Sequence, residues 1–373
     1  MSSSKKSKKN DCFALVMAGG RGERFWPLSR KSKPKPYLKL FDGEPLINRS
    51  VGRINKVVPI DKIFVATNKD YVRLTGSVLP KLPKRNIISE PCLRDTAPCM
   101  VLVASLIASR SSSDNSVMIV LPSDHVINDE KNFASLILKA SALAASTGKI
   151  VTIGIKPSFP STGFGYIKCG DKFPGTTGKE VFRKGLSFVE KPDRNKAQKL
   201  ISGGKHLWNS GIYIWTIKTF ADSISKHDPD LFKAFEIFKK AALEKRFEKV
   251  VSKHFPSLER KSIDYAMMEK LDDFIVAEAS FDWDDVGAWD SIRNNLGSDA
   301  EGNVSRGQTF KLNSKDNVVA NYDDEHLLVL LDTCDMTVVH TPDATLVCPV
   351  SSTQKVKGLL SEISKNPKLG RFM

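Results

Sequence analysis

Leu15-Val16-Met17-Ala18-Gly19-Gly20-Arg21-Gly22-Glu23-Arg24-Phe25-Trp26-Pro27-Leu28-Ser29-Arg30, running on to Lys33-Pro34-Lys35-Pro36, is the stretch that decides how this chain folds. Residues 13–18 are a continuous apolar run stopped by glycine. A run without polar alternation predicts a strand covered on both faces, as inside a mostly parallel sheet. Glycines directly after such a strand let backbone N–H groups approach phosphate oxygens, and Gly19, Gly20 and Gly22 are placed to do so. No Gly-Lys-Ser/Thr closes the loop, which excludes a Walker A motif. Phe25 stands where a dinucleotide fingerprint needs its third glycine. Arg24 and Lys35 add fixed cations able to hold a triphosphate and stabilise charge during phosphoryl chemistry.

Outward from this stretch, residues 63–67 and 117–121 are apolar runs of the same kind, and 150–155 is a further strand. Between them lie predicted helices over 96–109, apolar nearly all round, and over 132–146. Asp95 or Thr96 is suited to cap the first, and Pro98 fits its first turn. Alternating strands and helices predict an α/β, doubly wound arrangement over the first ~220 residues. Residues 229–251 read as one amphipathic helix capped by Asp228, with Phe232, Phe235 and Phe238 as core. Near Gly297 the texture changes to short strands at 318–321, 327–332, 336–340 and 345–348, then a helix at 353–365. This predicts a small β-rich domain, with no strict period to mark a solenoid. The expected limits are a basic tail at 1–12, a catalytic domain at 13–296 and the β-rich domain at 297–373.

Apolar residues make up 41% of the 373-residue chain, enough for a sizeable core. No apolar run reaches the roughly 18 residues of a membrane-spanning helix. The lysine-rich start imitates a secretory signal, but its apolar stretch is shorter than the ~7–15 residues required. A cytoplasmic protein is expected. The six cysteines are scattered without a C-x-x-C pair, which argues against zinc or a disulfide framework. Net charge is +15, and residues 1–36 hold ten Lys/Arg against two Asp/Glu. No aromatic interleaving accompanies that charge, so an anionic small substrate explains it better than nucleic acid.

Three further segments carry candidate chemistry. Pro122-Ser123-Asp124-His125 follows the strand at 117–121, and ligands of open α/β sheets bind at the carboxyl ends of strands. A carboxylate there, Asp124, suits Mg²⁺, which takes one or two protein oxygens plus phosphate; His125 reads as a positioning group. Asp282-Trp283-Asp284-Asp285-Val286-Gly287-Ala288-Trp289 crowds three carboxylates, which repel unless a cation shares them; a solvated acidic turn is the other reading. Phe188-Val189-Glu190-Lys191-Pro192 offers a lysine able to clamp a phosphate, or a plain surface turn.

The loop, with Pro27-Leu28 and Pro34-Lys35-Pro36, resembles the sugar nucleotidyltransferases, and its Phe25-to-Arg30 wording resembles the mannose-1-phosphate guanylyltransferase family among them. The likeness runs from about residue 13 to 350. It implies a Rossmann-like catalytic domain with a mixed sheet, a short left-handed β-helix as the small C-terminal domain, and dimer contacts through that tail. It also implies GTP and mannose 1-phosphate as substrates and Mg²⁺ as cofactor. By motif match, Arg24 holds the β- and γ-phosphates, Lys35 the α-phosphate and Asp285 the metal with Asp124. Lys191 holds the sugar phosphate and Glu190 the sugar hydroxyls. Thr162-Gly163-Phe164-Gly165-Tyr166 and Trp208-Asn209-Ser210-Gly211-Ile212 match sugar-site segments, where Gly163 lets the sugar approach backbone and Asn209 bonds hydroxyls. Ser262-Ile263-Asp264 through Glu269 also matches, either as a sugar contact from Asp264 or Glu269 or as an ordinary Ser-capped helix.

In Ser89-Glu90-Pro91-Cys92-Leu93-Arg94-Asp95-Thr96-Ala97-Pro98, Asp95 departs from the family's asparagine. Glu90 is able to accept from guanine N1–H and the exocyclic amine; a structural turn and cap is the alternative. The length leaves no room for the isomerase domain that some relatives append, so one activity is expected. Other readings are the same chemistry with glucose 1-phosphate and UTP, ATP or dTTP, a non-catalytic sugar-nucleotide-binding regulator, and a nucleic-acid binder using the basic N-terminus.

Overall fold

β1 (Cys12–Met17) carries the apolar run that precedes the glycines, and its Ala14, Leu15 and Val16 are wholly buried. The structure, a computed structural model, describes residues 11–41, 43–176 and 178–373. Residues 1–10 of the expected basic tail lie outside the described residues. The chain divides into two compact units. One takes the residues up to 19, 51–122 and 127–283; the other takes 20–50, 123–126 and 284–373.

The first unit is built on a nine-stranded mixed sheet. After β1 come β2 (Ile63–Asn68), β3 (Ile87–Glu90), β4 (Val117–Pro122), β5 (Val151–Ile155), β6 (Tyr166–Lys172), β7 (Phe182–Val189), β8 (His206–Thr216) and β9 (Phe274–Glu278). Their spatial order is β3-β2-β1-β4-β8-β5-β9-β7-β6. The four strands β3, β2, β1 and β4 run parallel, with Leu15 opposite both Phe64 and Val120. β8 then enters antiparallel to both β4 and β5.

The Rossmann-like, doubly wound α/β expectation holds for this unit. Helix Thr96–Arg110 is buried from Ala97 to Ile107, and Asp95 caps it by accepting from the Thr96 amide. Gly19 follows β1 by one residue, Ala18, while Ser123 and Glu190 directly follow the last residues of β4 and β7.

One expected element is two. The helix predicted over 229–251 ends as Pro229–Leu243, and a second begins at Phe247. Lys245 takes φ 56° between them. The Arg246 amide donates to the Ala241 carbonyl and the Lys245 amide to Ala242, a left-handed termination that closes the first helix. Asp228 caps it as expected, accepting from the Leu231 amide.

The second unit contains the C-terminal strands β10 (Val304–Arg306), β11 (Thr309–Leu312), β12 (Val318–Asn321), β13 (Leu328–Leu331), β14 (Met336–Thr341) and β15 (Ala344–Pro349). β10, β12 and β14 stack in parallel, β11 and β13 form a second parallel pair, and β15 returns antiparallel on β14. Two parallel stacks fed by one winding chain make a β-helix. Its corners repeat: Asn313 and Asp332, then Asp316 and Asp335, all adopt φ between 51° and 54°. Asn and Asp tolerate that left-handed conformation better than other side-chain-bearing residues. Asn317 stacks on Asn303, donating to its Oδ1 at 2.9 Å, and accepts from the Met336 amide.

Candidate functional site

In the second unit, the glycine loop is shaped by sterics. Gly22 has φ 65°, and a Cβ added there would sit 2.1 Å from Lys35 Cβ. No side chain fits, so the loop closes directly over Lys35. Gly20 is less constrained: its Cβ would lie 3.9 Å from Asp124 Oδ2. Lys35 begins a short turn, Lys35–Tyr37, after Pro34, and its amide donates to the Arg21 carbonyl.

Lys35 is 6% exposed. Its Nζ lies 2.8 Å from Asp124 Oδ2 and donates to the Asp285 carbonyl at 2.7 Å. A two-way backbone bridge holds these segments together: Val126 N donates to Asp284 O at 2.9 Å and Asp284 N to Val126 O at 3.0 Å. Arg24 is exposed, one residue before buried Phe25.

Electrostatics separate the two carboxylates. Burial works to raise Asp124, but the Lys35 and His125 charges outweigh it and hold the carboxyl below its ordinary value. Burial pushes Asp285 up to about 6; Lys35 and Arg24 pull it down, and the Asp284 and Asp124 charges add to the rise.

The acidic run does not act as one cluster. Asp284 accepts from the Val286 amide at 2.7 Å and from the Asn294 and Asn295 amides at 2.8 and 3.0 Å. In the first unit, Asp282 accepts from the Asn128 and Asp129 amides. Both charges are therefore taken up by local donors. Of the three neighbouring acids, Asp282 and Asp284 are thus compensated separately, each by its own donors. Val286, buried and β-branched, is held at φ 48°, a strained conformation next to Asp285.

Among the described residues no group of three or more His, Cys, Asp or Glu side chains forms a metal cage. Two carboxylates beside a buried lysine still fit a hard divalent cation that draws its remaining ligands from phosphate and water.

The first unit brings the other candidates into two places. Gly19 lies beside Glu90, its added Cβ 3.9 Å from Oε1. Glu90 is 4% exposed, and burial pushes its carboxyl up to about 7, with the Asp95 charge adding and a Cys99 hydrogen bond opposing. The second place is built on β8 and the turn after β7. Lys191, at φ 40°, puts Nζ 2.5 Å from Glu190 Oε1. The Glu190 amide donates to Glu269 Oε1 at 2.9 Å.

Asn209 Nδ2 donates to Tyr213 Oη at 2.7 Å and to Asp264 Oδ1 at 3.3 Å. Burial and the facing Asp264 raise the Glu190 carboxyl, and burial raises Asp264 in turn. Gly165 is the glycine that touches this cluster, since its Cβ would clash with Glu190 Oε2 at 2.6 Å. At Gly163 a Cβ would meet only Ser161 Oγ, at 3.6 Å. Within the Thr162–Tyr166 segment it is Gly165 that the structure brings to the cluster, and Tyr213, four residues after Asn209 on β8, is the addition that sequence reasoning missed.

The nucleotidyl transferase family model matches residues 13–301, and that of the MannoseP isomerase/GMP-like beta-helix domain matches 307–363. A mannose-1-phosphate guanylyltransferase of Escherichia coli is 32% identical over 94% of this chain and 75% of its own. The xanthan biosynthesis protein XanB of Xanthomonas campestris pv. campestris is 36% identical over 95% of this chain and 73% of its own. A crystal structure from Thermus thermophilus, described as a mannose-1-phosphate geranyltransferase, covers 95% of this chain and 99% of its own at 30% identity, with a TM-score of 0.83. The chain belongs to the nucleotidyl transferase family and, within it, to the family of the mannose-1-phosphate guanylyltransferases. No helix among the described residues is long and apolar enough to cross a membrane.

Proposed function

We propose that the protein joins mannose 1-phosphate to GTP, giving GDP-mannose and pyrophosphate. An oxygen of the sugar phosphate forms a bond to the α-phosphorus of GTP. The bond from that phosphorus to the bridging oxygen breaks, and pyrophosphate leaves with the electron pair. The nucleophile is already an anion, so positioning and charge neutralisation carry the rate. The observation that carries this reading is Lys35 bonded to Asp124 and to the Asp285 carbonyl beneath Gly22.

In this reading Gly19, Gly20 and Gly22 approach the phosphates, Lys35 takes the α-phosphate and Arg24 the β- and γ-phosphates. Asp124 and Asp285 hold Mg²⁺, which when bound neutralises phosphate charge. Glu90 accepts from guanine. Lys191 aligns the sugar phosphate, while Glu190, Asn209 and the backbone at Gly163 meet the sugar. The names of the relatives support the choice of mannose and guanine.

The test is pyrophosphate release from mannose 1-phosphate with GTP, UTP, ATP and dTTP in turn. GTP is expected to lead by at least tenfold. Turnover only with glucose 1-phosphate and another triphosphate defeats the reading, and no release with any pair points to a binding protein. Lys191→Ala is expected to leave GTP binding intact and abolish turnover.

For the two domains we keep the limits 13–296 and 297–373; the family matches, 13–301 and 307–363, divide the chain a few residues later. A cytoplasmic location goes with this reading. A homodimer through the C-terminal strands is supported by Phe310, Leu312, Val329 and Leu331, all more than half exposed on β11 and β13. Light scattering of Val329→Glu against the parent reads this directly; an unchanged mass in both rules it out.

A further inference from the structure

The strand that carries Asn209 also carries a buried tyrosine whose hydroxyl is held by two side chains. Tyr213 is 2% exposed, stacked on Trp215 at 5.6 Å between ring centroids. Its hydroxyl donates to Asp264 Oδ1 at 2.5 Å and accepts from Asn209 Nδ2 at 2.7 Å. Asn209 Nδ2 also reaches Asp264 Oδ1 at 3.3 Å, so the three groups form a closed triangle. The other end of the asparagine is fixed as well: Oδ1 accepts from Thr152 Oγ1 and from the Gly211 amide, each at 3.2 Å.

Each group is committed in one direction. The amide orientation of Asn209 follows from its Oδ1 partners, since the Gly211 amide can only donate. That leaves Nδ2 facing the hydroxyl, which must accept there and so gives its own proton to Asp264. Burial first, and then the Asp264 charge, drive the phenol well above its usual range, so it stays a donor. Tyr213 is buried while Asn209 and Asp264 each keep part of their surface exposed, and a satisfied network of this kind holds its members in one geometry.

We propose that Tyr213 is a positioning residue for the sugar half of the reaction: its hydroxyl fixes Asn209 and Asp264 in the arrangement that meets the sugar hydroxyls. The inference rests on the sugar-site reading of Asn209 and Glu190 given above. Removing the hydroxyl leaves one N–H of Asn209 unpaired and frees Asp264 to turn toward the neighbouring Lys191, since Glu190 repels it.

The experiment is Tyr213→Phe, which keeps the ring and its stacking on Trp215. A hydrogen bond to a charged group is worth enough to raise KM for mannose 1-phosphate roughly ten- to hundredfold. KM for GTP is expected to stay within twofold of the parent, and kcat at saturating sugar phosphate within a few-fold. KM for the sugar phosphate unchanged, or both KM values rising together, overturns the proposal, because a merely structural tyrosine moves the two equally or not at all. If Tyr213→Phe does not fold, Tyr213→Met, which also removes the hydroxyl and leaves Asn209 and Asp264 in place, is read by the same split. Asn209→Ala separates this inference from its parent. If that variant leaves KM for mannose 1-phosphate untouched, the sugar-site reading itself fails; if it raises KM while Tyr213→Phe does not, only the role of Tyr213 is lost.

Discussion

Trp289 donates its indole N–H to the Trp26 carbonyl at 2.9 Å, tying together residues 263 apart in the chain. Phe25 packs edge-on against the same indole, with ring centroids 5.1 Å apart. Trp26 in turn donates to the Phe372 carbonyl at 2.7 Å, and Arg30 pairs with Asp343 at 2.7 Å. The wording from Phe25 to Arg30, which most closely marks the family, is therefore spent on anchoring the loop within its own unit. Trp289→Phe keeps an aromatic ring and removes the donor. It is expected to cost ~1–3 kcal/mol by leaving a buried carbonyl unpaired, read as a lower Tm. The ratio of GTP to ATP use is expected to stay constant; a changed ratio makes these rings readers of the base.

Gly22 and Gly20 separate steric necessity from mere loop character. At Gly22 an alanine meets Lys35 Cβ at 2.1 Å and a left-handed backbone at once. The conformation alone costs roughly 1–2 kcal/mol, and the clash displaces Lys35. Gly22→Ala is expected to lose more than a hundredfold in turnover, with weaker GTP binding by calorimetry. Gly20→Ala, whose new carbon makes ordinary contact with Asp124, is expected to unfold within about 1 kcal/mol of the parent. Similar losses of stability at both positions contradict the steric account.

Glu90 gives the chain a pH dependence with a defined sign. Its carboxyl sits at about 7 rather than 4.5, because burial penalises the charge. Accepting from guanine requires the ionised form, so KM for GTP is expected to fall as pH rises from 6 to 8. Glu90→Gln, which cannot ionise, is expected to weaken GTP more than ATP and to flatten that profile. Stability runs the other way. A raised pKa means the folded state holds the proton more tightly than the unfolded chain, so the stabilising contribution is complete below about 4.5 and is lost as pH rises through about 7. The cost of the buried charge above that range is on the order of 3 kcal/mol. Ligand-free Glu90→Gln is thus expected to gain Tm relative to the parent between pH 6 and 8, and parallel Tm curves count against this account.

Much of this arrangement was legible from apolar runs. β1, β2, β4 and β5 are strands buried on both faces, and helix Thr96–Arg110 is buried nearly all round, so hydrophobicity alone marks them. β6 and β7 escape that test because Lys168, Asp171, Arg183 and Lys184 interrupt them toward one margin of the sheet. The β-helix hides for another reason. Its strands are short, and the repeat lies in the corners, where Asn313 and Asp316 are echoed by Asp332 and Asp335. Asp124 and Lys35 were readable from their places after a strand and between prolines. The separate duties of Asp282, Asp284 and Asp285 were not, because adjacency in sequence says nothing about which donors each carboxylate meets.

Lys35 makes the proposed cation site testable without turnover. Its ammonium bonds Asp124 Oδ2 and the Asp285 carbonyl from a position 6% exposed. Replacing it by methionine keeps the bulk and removes the charge, leaving two crowded carboxylates with Arg24 as the remaining cation that acts on Asp285. Breaking such a pair from one side costs about 2–4 kcal/mol, toward the lower end because Asp124 retains some solvent. Lys35→Met is therefore expected to lose Tm in chelator and to recover part of it in millimolar Mg²⁺. The rise should exceed that of the parent, whose lysine competes with the ion. Turnover is expected to stay two to three orders of magnitude down even with Mg²⁺, because a cation on the carboxylates does not replace the charge on the α-phosphate. Equal Mg²⁺-induced rises in both proteins mean that Asp124 and Asp285 do not take the ion. Recovery of turnover along with Tm means that Lys35 serves the carboxylates and not the phosphate.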